Sequence, residues 1–537
     1  MNNTLGTGFR RFLASALVLT IGTGALAQVM VSPDRPARPG TPAPARGPAK
    51  LIPRADLFGN PEKAAAQVSP DGAKVSYLAP VDGVLNVWVG PTAKPADARP
   101  VTREAKRGIR YYTWAYTGGH ILYRQDTNGD ENWHVHCVDL ATGQITDLTP
   151  MPGVSARIEA LSDRFPDQAI LSINDRDPSH HDLYRVNVRT GERSLLYRNE
   201  GYSGFEIDDD FEIRYAFRTT EDGGREEHRA SRHDGAYVFE KSATIPLADA
   251  GLTYGVGFDR TGKVRYMIDS RGRDKAAMFA VELESGARTL LFEDDRVDAG
   301  APLLHPKTKA VQAVAFDYDK PRWALIDRDL EADWQFIRKK SGEGDLTIPS
   351  RSLDDRFWIV NVSPDNGSPK AYLYDRGAAA QGDAKPAEPS LTLLFESMPA
   401  LGRHTLAKME PTPIKSRDGL EMMSYLTLPV GSDLNGDKIP DKPLPMVLLV
   451  HGGPWARDSW GFRPQHQWLA NRGYAVLSVN YRGSSGFGKG YIMASRREWG
   501  GRMHDDLIDA VNWAVARKIA DPARIAIFGG SYGGYAT

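Results

Sequence analysis

Seven short apolar runs of β type recur along the chain: Val75-Ser76-Tyr77-Leu78, His120-Ile121-Leu122-Tyr123, Ala169-Ile170-Leu171-Ser172, Glu212-Ile213-Arg214-Tyr215, Lys263-Val264-Arg265-Tyr266, Ala310-Val311-Gln312-Ala313 and Phe357-Trp358-Ile359-Val360. They fall roughly 45 residues apart, the interval of a four-stranded propeller blade. A repeat of this length constrains the fold strongly, because one unit cannot bury its own apolar face and must stack on its neighbours. Turn sequences precede or follow these runs, among them Ser69-Pro70-Asp71-Gly72, Asp259-Arg260-Thr261-Gly262 and Ser363-Pro364-Asp365-Asn366. A second beat follows, as in Val138-Asp139-Leu140-Ala141-Thr142-Gly143, Val186 to Gly191 and Val281 to Gly286, which reads as outer strands ending in hairpin turns. The pattern predicts a seven-bladed β-propeller over residues 51–404.

Past residue 405 the pattern changes. Lys408 to Pro429 still reads as an antiparallel pair turning at Ser416-Arg417-Asp418-Gly419. Met446-Val447-Leu448-Leu449-Val450 and Tyr474 to Val479 are then continuous apolar runs of the kind found in parallel sheets covered on both faces. Between them and Ile525, the segment from Met503 to Lys518 puts Met503, Leu507, Val511, Ala514 and Val515 on one helical face. Asp521-Pro522 is expected to break that helix before a short buried strand, Ile525-Ala526-Ile527-Phe528. Residues 405–537 therefore read as the N-terminal half of a doubly wound α/β-hydrolase domain.

That strand runs into Gly529-Gly530-Ser531-Tyr532-Gly533, a G-x-S-x-G nucleophile elbow, in which a strained strand-to-helix turn lifts the serine hydroxyl clear of the sheet. The glycines fit because a Cβ there would collide with the adjoining strand and helix. An earlier strand ends in His451-Gly452-Gly453-Pro454, and a loop of this kind gives one backbone N–H to an oxyanion hole. The second donor is the residue after the nucleophile. The expected donors are Gly453 and Tyr532, each worth ~3 kcal/mol of transition-state stabilisation.

The N-terminus carries Arg10 and Arg11, an apolar stretch from Phe12 and the small-residue close Ala25-Leu26-Ala27. This is the pattern of a secretory signal peptide over 1–27, cleaved before Gln28, and it predicts an exported protein, periplasmic or secreted. The run is short of the ~20 residues of a spanning helix, so no stable membrane insertion is expected. Residues 28–50 hold Pro33, Pro36, Pro39, Pro42, Pro44 and Pro48 among alanines and arginines, the composition of an extended linker. A formal net charge of -1, with no dense basic stripe, argues against nucleic acid as a partner. Cys137 is the only cysteine, so no intrachain disulfide forms.

With the blades, Val450 to Pro454, Asn480-Tyr481-Arg482-Gly483-Ser484-Ser485-Gly486-Phe487-Gly488, Asp521 to Ile525 and Gly529 to Gly534, the chain resembles the prolyl oligopeptidase family of serine peptidases from about Leu51 to Thr537. The resemblance implies acyl transfer to Ser531, with the propeller restricting entry to short peptide substrates and no cofactor. His451 stands where the dipeptidyl and prolyl branches carry a tyrosine that assists the oxyanion. That implies the acylaminoacyl-peptidase branch, with a hole built of backbone only. A paired-glutamate signature for a free amino terminus is not evident. Glu226-Glu227 in Arg225 to His228 reads more simply as a solvated turn.

Triads on this fold run Ser, then Asp or Glu, then His. Neither an acid nor a histidine follows Ser531 in the sequence. His504 and Asp505 precede the elbow on a helix, where Asp505 or Asp506 is expected to pin that helix, and His451 lacks an orienting carboxylate. The expectation is a fragment, inactive and poorly soluble, whose acid and base lie beyond residue 537. An esterase with the same elbow, or a catalytically dead propeller binding protein, are the alternatives. Asp126 to Asn132 and Asp433 to Asp441 echo calcium loops but lack the glycine and glutamate spacing of an EF-hand, so both read as turns. His134 and His136 share a strand face without a third ligand and read as structural. No metal is expected.

Overall fold

In the computed structural model the described residues are 50–377 and 388–537, so the expected signal peptide and nearly all of the linker lie outside them. Every one of the seven apolar runs becomes the second strand of a blade: Lys74–Val81, His120–Gln125, Gln168–Asp177, Ile213–Thr219, Val264–Asp269, Val311–Asp317 and Phe357–Ser363. Each is flanked on both sides by antiparallel partners, and at least half of its residues are buried. Among the described residues six blades have four strands, and the sixth has three. That blade continues into the helix Leu330–Ser341, whose Leu330 and Ile337 pack with Leu346 and Trp358 of the seventh. The second-beat segments are third strands turning into outermost fourth strands. The ring closes without exchanging a strand: Val68 and Ala66 of the first blade pack on Ile359 and Leu373 of the seventh, and Val68 N donates to Ser350 Oγ at 3.0 Å.

The second domain is a five-stranded sheet. The hairpin Met409–Lys415 and Glu421–Thr427 lies at one side, then come Ala475–Val479, Leu444–Val450 and finally the elbow strand Ala520–Gly529. The last three are mutually parallel. Helix Arg502–Ala516 covers one face, burying Met503, Leu507, Ala510 and Ala514 against Leu448, Val450 and Leu477, while Val511 and Val515 are only partly buried. The propeller meets this domain through its fifth and sixth blades, where Tyr266, Met278, Phe316 and Tyr318 join Met409, Met423, Tyr425, Phe487 and Tyr491 in one apolar cluster.

Four sequence expectations need adjustment. Residues 51–58, placed by sequence at the start of the propeller, pack instead on the hydrolase side: Ile52 and Leu57 sit with Leu401, Leu406 and Trp468, and Ile52 N donates to Asn471 Oδ1 at 2.7 Å. Asp521-Pro522 is not what breaks the helix, which already ends at Ala516; the pair forms an irregularity within the elbow strand, whose pairing jumps from Leu444↔Ala520 to Met446↔Ile525. The run Ile525 to Phe528 is not buried throughout, because the elbow strand is the edge of the described sheet: Ile525 and Ile527 pack on the core and Phe528 is 49% exposed. Finally, Glu226 and Glu227 lie on the blade-four strand Arg225–His233, beyond the turn. Glu226 pairs with Lys241 and His228, but Glu227 is buried and accepts from Arg265 Nη2 at 2.8 Å. The arginine on the next blade, far off in sequence, draws it inward.

Candidate active site

The elbow is built as the glycines dictate. Ser531 adopts φ 55° and ψ −119°, a combination an L-residue holds at a cost of ~1–3 kcal/mol and only where its surroundings enforce it. The enforcing contacts are backbone to backbone. A Cβ on Gly533 would stand 2.2 Å from Val450 O, and one on Gly529 would stand 2.6 Å from Gly533 C. The turn continues into the short helix Tyr532–Ala536, with Gly533 N donating to Gly530 O at 2.9 Å and Tyr535 N to Ser531 O at 3.0 Å. Ser531 is left exposed at its head.

The loop after Leu444–Val450 comes up against it. A Cβ on Gly452 would meet Gly530 O at 3.1 Å and Ser531 Cβ at 3.2 Å, so the loop lies against the nucleophile in tight contact that a side chain could share only if its neighbours gave way by a few tenths of an ångström. Gly453 has φ 123°, open to glycine alone. Among the described residues neither Gly453 N–H nor Tyr532 N–H has a hydrogen-bond partner. The structure thus gathers Gly452, Gly453, Gly529, Gly530, Ser531, Tyr532 and Gly533 at one point.

His451 is turned away from the serine. Its Nδ1 lies 2.8 Å from Gly452 O and its Nε2 lies 3.0 Å from Ser484 Oγ. The ring stacks on Tyr481 at 4.5 Å and 14°. The Tyr481 hydroxyl donates to His451 O at 2.9 Å. Burial pulls the imidazole pKa below its ordinary value, which keeps the ring neutral. Tyr481 and Ser484 come from the Asn480–Gly488 segment, which is itself held by Arg482. The guanidinium is buried between Asp506, at 2.7 and 2.9 Å, and Asp418, at 2.9 and 3.0 Å. Those carboxylates hold Arg482 firmly protonated, with Asp506 contributing most. Asp506 therefore pins the helix as expected, while Asp505 makes a surface pair with Arg417 at 2.9 Å and His504 is exposed. No histidine hydrogen-bonds Ser531 Oγ among the described residues.

Tyr481, Arg482 and Ser484 stand together in the Asn480–Gly488 motif, whose pattern alone marks no task for them. The signal was a buried-type Arg in a glycine-rich loop, but its partners lie on two other elements. Also unforeseen is an aromatic shelf beside the elbow: Trp499 packs edge-on against Tyr532 at 5.2 Å and near Trp455 at 6.4 Å, with Tyr535 alongside. Among the described residues no group of three or more His, Cys, Asp or Glu is placed to hold a metal. His134 pairs with Asp147 at 2.7 Å and His136 stacks on Tyr123. Asp130 caps Thr127 N, and Asp433 caps Gly436 N and Lys438 N, so both loops close as turns.

Against known proteins, the Prolyl oligopeptidase family model matches residues 460–537. The chain is 46% identical over 489 residues to "Dipeptidyl aminopeptidase BIII" of Pseudoxanthomonas mexicana, covering 91% of this chain and 69% of that protein. The chain belongs to the prolyl oligopeptidase family. A second relative of this family of serine peptidases, "Dipeptidyl peptidase family member 6" of Caenorhabditis elegans, is 33% identical over 514 residues, covering 91% of this chain and 68% of its own. The solved structure of a puromycin-hydrolyzing peptidase of Mycobacterium tuberculosis superposes with a TM-score of 0.65 at 19% identity, over 92% of this chain and 78% of that one, and so shares the propeller-plus-hydrolase fold. No helix among the described residues is long and apolar enough to cross a membrane.

Proposed function

We propose that this family member releases dipeptides from the free amino termini of short peptides through an acyl-enzyme on Ser531. The observation that carries the chemistry is the strained Ser531 elbow pressed against Gly452, with the N–H groups of Gly453 and Tyr532 unoccupied. In this reading Ser531 Oγ gives its proton to a general base and attacks the scissile carbonyl, the two N–H groups hold the developing oxyanion, the C–N bond breaks to release the shortened peptide as its protonated amine, and water hydrolyses the resulting ester. Gly529, Gly530 and Gly533 keep the elbow tight. His451 is a loop element and not the base, since both its ring nitrogens are engaged elsewhere. The dipeptidyl reading is favoured over the acylaminoacyl one suggested by His451, because two relatives matched over most of the chain carry dipeptidyl names. Export through residues 1–27 belongs to the same proposal.

The test uses protein made from the complete gene. Dipeptidyl 4-nitroanilides with a free amino group should be cleaved, and their N-acetylated counterparts should not. Ser531→Ala should abolish cleavage and labelling by a fluorophosphonate. Preference for the acetylated substrates would move the protein to the acylaminoacyl class. Turnover of p-nitrophenyl esters alone would make it an esterase, and binding without turnover a propeller that has lost catalysis.

A further inference from the structure

Gly452 O and Gly453 N–H belong to one peptide unit. That unit is trans, since the only cis bond among the described residues is Gly453-Pro454. In a planar trans peptide the C=O and N–H point in opposite directions, so whatever fixes the carbonyl also aims the N–H. Here the carbonyl is fixed by the side chain immediately before it. A carbonyl oxygen has no proton to give, so in the 2.8 Å contact between His451 Nδ1 and Gly452 O the Nδ1–H is the donor, with the Tyr481 hydroxyl, 3.3 Å from Nδ1, as its competing partner. This tautomer leaves Nε2 to accept from the Ser484 hydroxyl at 3.0 Å, with Tyr481 O, 2.7 Å from Ser484 Oγ, as the competing acceptor.

We infer that His451 is a positioning residue of the oxyanion hole: its Nδ1–H clamps Gly452 O and thereby holds the Gly453 N–H in the direction needed to meet the oxyanion formed at Ser531. The inference rests on the reading of Ser531 and Gly453 given above. The ring cannot swing off the carbonyl, because Tyr481 covers one face and the Ser484 hydroxyl holds its far nitrogen. A hydrogen bond accepted by a peptide carbonyl also polarises the N–H of the same unit, which strengthens it as a donor. A hole without a side-chain donor depends on this orientation, since rotation of one peptide removes half of it.

The test again uses protein from the complete gene. His451→Phe keeps a ring to stack on Tyr481 but has no donor. His451→Asn places its Nδ2–H near the lost Nδ1–H, and His451→Gln places its amide near Nε2 instead. His451→Phe and His451→Gln are expected to lower kcat on a dipeptidyl 4-nitroanilide by roughly 10- to 100-fold, within the range for a compromised oxyanion donor. KM should stay within about twofold, and affinity for a peptide aldehyde, which binds as a tetrahedral adduct, should fall by the same factor as kcat. His451→Asn should recover most of both. Equal behaviour of the Asn and Gln variants, unchanged kcat in His451→Phe, or a loss confined to KM would overturn the inference. If Ser531→Ala retains turnover, the underlying reading fails instead, whatever the His451 variants do.

Discussion

Replacing Asp506 by alanine isolates the contact that holds the catalytic loops together. Its carboxylate accepts from Arg482 N at 2.8 Å, Nε at 2.9 Å and Nη2 at 2.7 Å, with the Arg482 side chain 3% exposed and Asp506 wholly buried. Removing one partner of a buried ion pair leaves a charge without compensation and costs ~3–5 kcal/mol. Asp418 remains bound to the same guanidinium, but its side chain is 41% exposed and better solvated, so the lower end, ~3 kcal/mol, is expected. Hydrogen exchange over helix Arg502–Ala516 reads this locally: 3 kcal/mol corresponds to roughly a 150-fold loss of protection for amides that exchange by opening this unit. The double substitution Arg482→Met with Asp506→Leu should regain most of it, since an apolar pair of similar volume removes the orphaned charge. A loss below about fivefold in Asp506→Ala, or a double variant no better than the single, would refute the view that a buried charge pair holds this loop.

Gly533→Ala should abolish turnover and lower the melting temperature, because its Cβ would lie 2.2 Å from Val450 O, whereas Gly534→Ala, with Gly529 O at 3.7 Å, should be tolerated. Thermal melts and active-serine titration of the two variants check this. Burial of Asp298 under Gly488 at the domain contact raises its pKa to about 6, so its protonated form favours the folded state, and that contribution is complete below the ordinary carboxylate range and lost as pH rises through about 6. Melting temperatures of the parent and Asp298→Asn from pH 4 to 8 should show this slope in the parent alone. N-terminal sequencing of protein secreted by a bacterial host should begin at Gln28.

The strand repeat was legible because a propeller blade is a local object: turn, strand and hairpin all fall within one stretch of sequence, and burial of the second strand writes itself as an apolar run. The elbow was legible for a related reason, since its glycines answer to steric demands made within a few residues and against one neighbouring strand. Only the tertiary structure decided where charges go. Glu227 reads as solvated until Arg265 of the next blade is beside it, and the Arg482, Asp506 and Asp418 cluster joins three separate elements. It also decided that residues 51–58 close on Trp468 of the hydrolase domain, a contact between segments some 400 residues apart that no local pattern encodes. His451 shows the division most clearly. The sequence marks it as part of an oxyanion loop, but which way the imidazole turns depends on Tyr481 and Ser484, brought beside it by the parallel strand Ala475–Val479. Periodicity and backbone sterics are written in neighbouring residues; the partner of a polar side chain is chosen by packing.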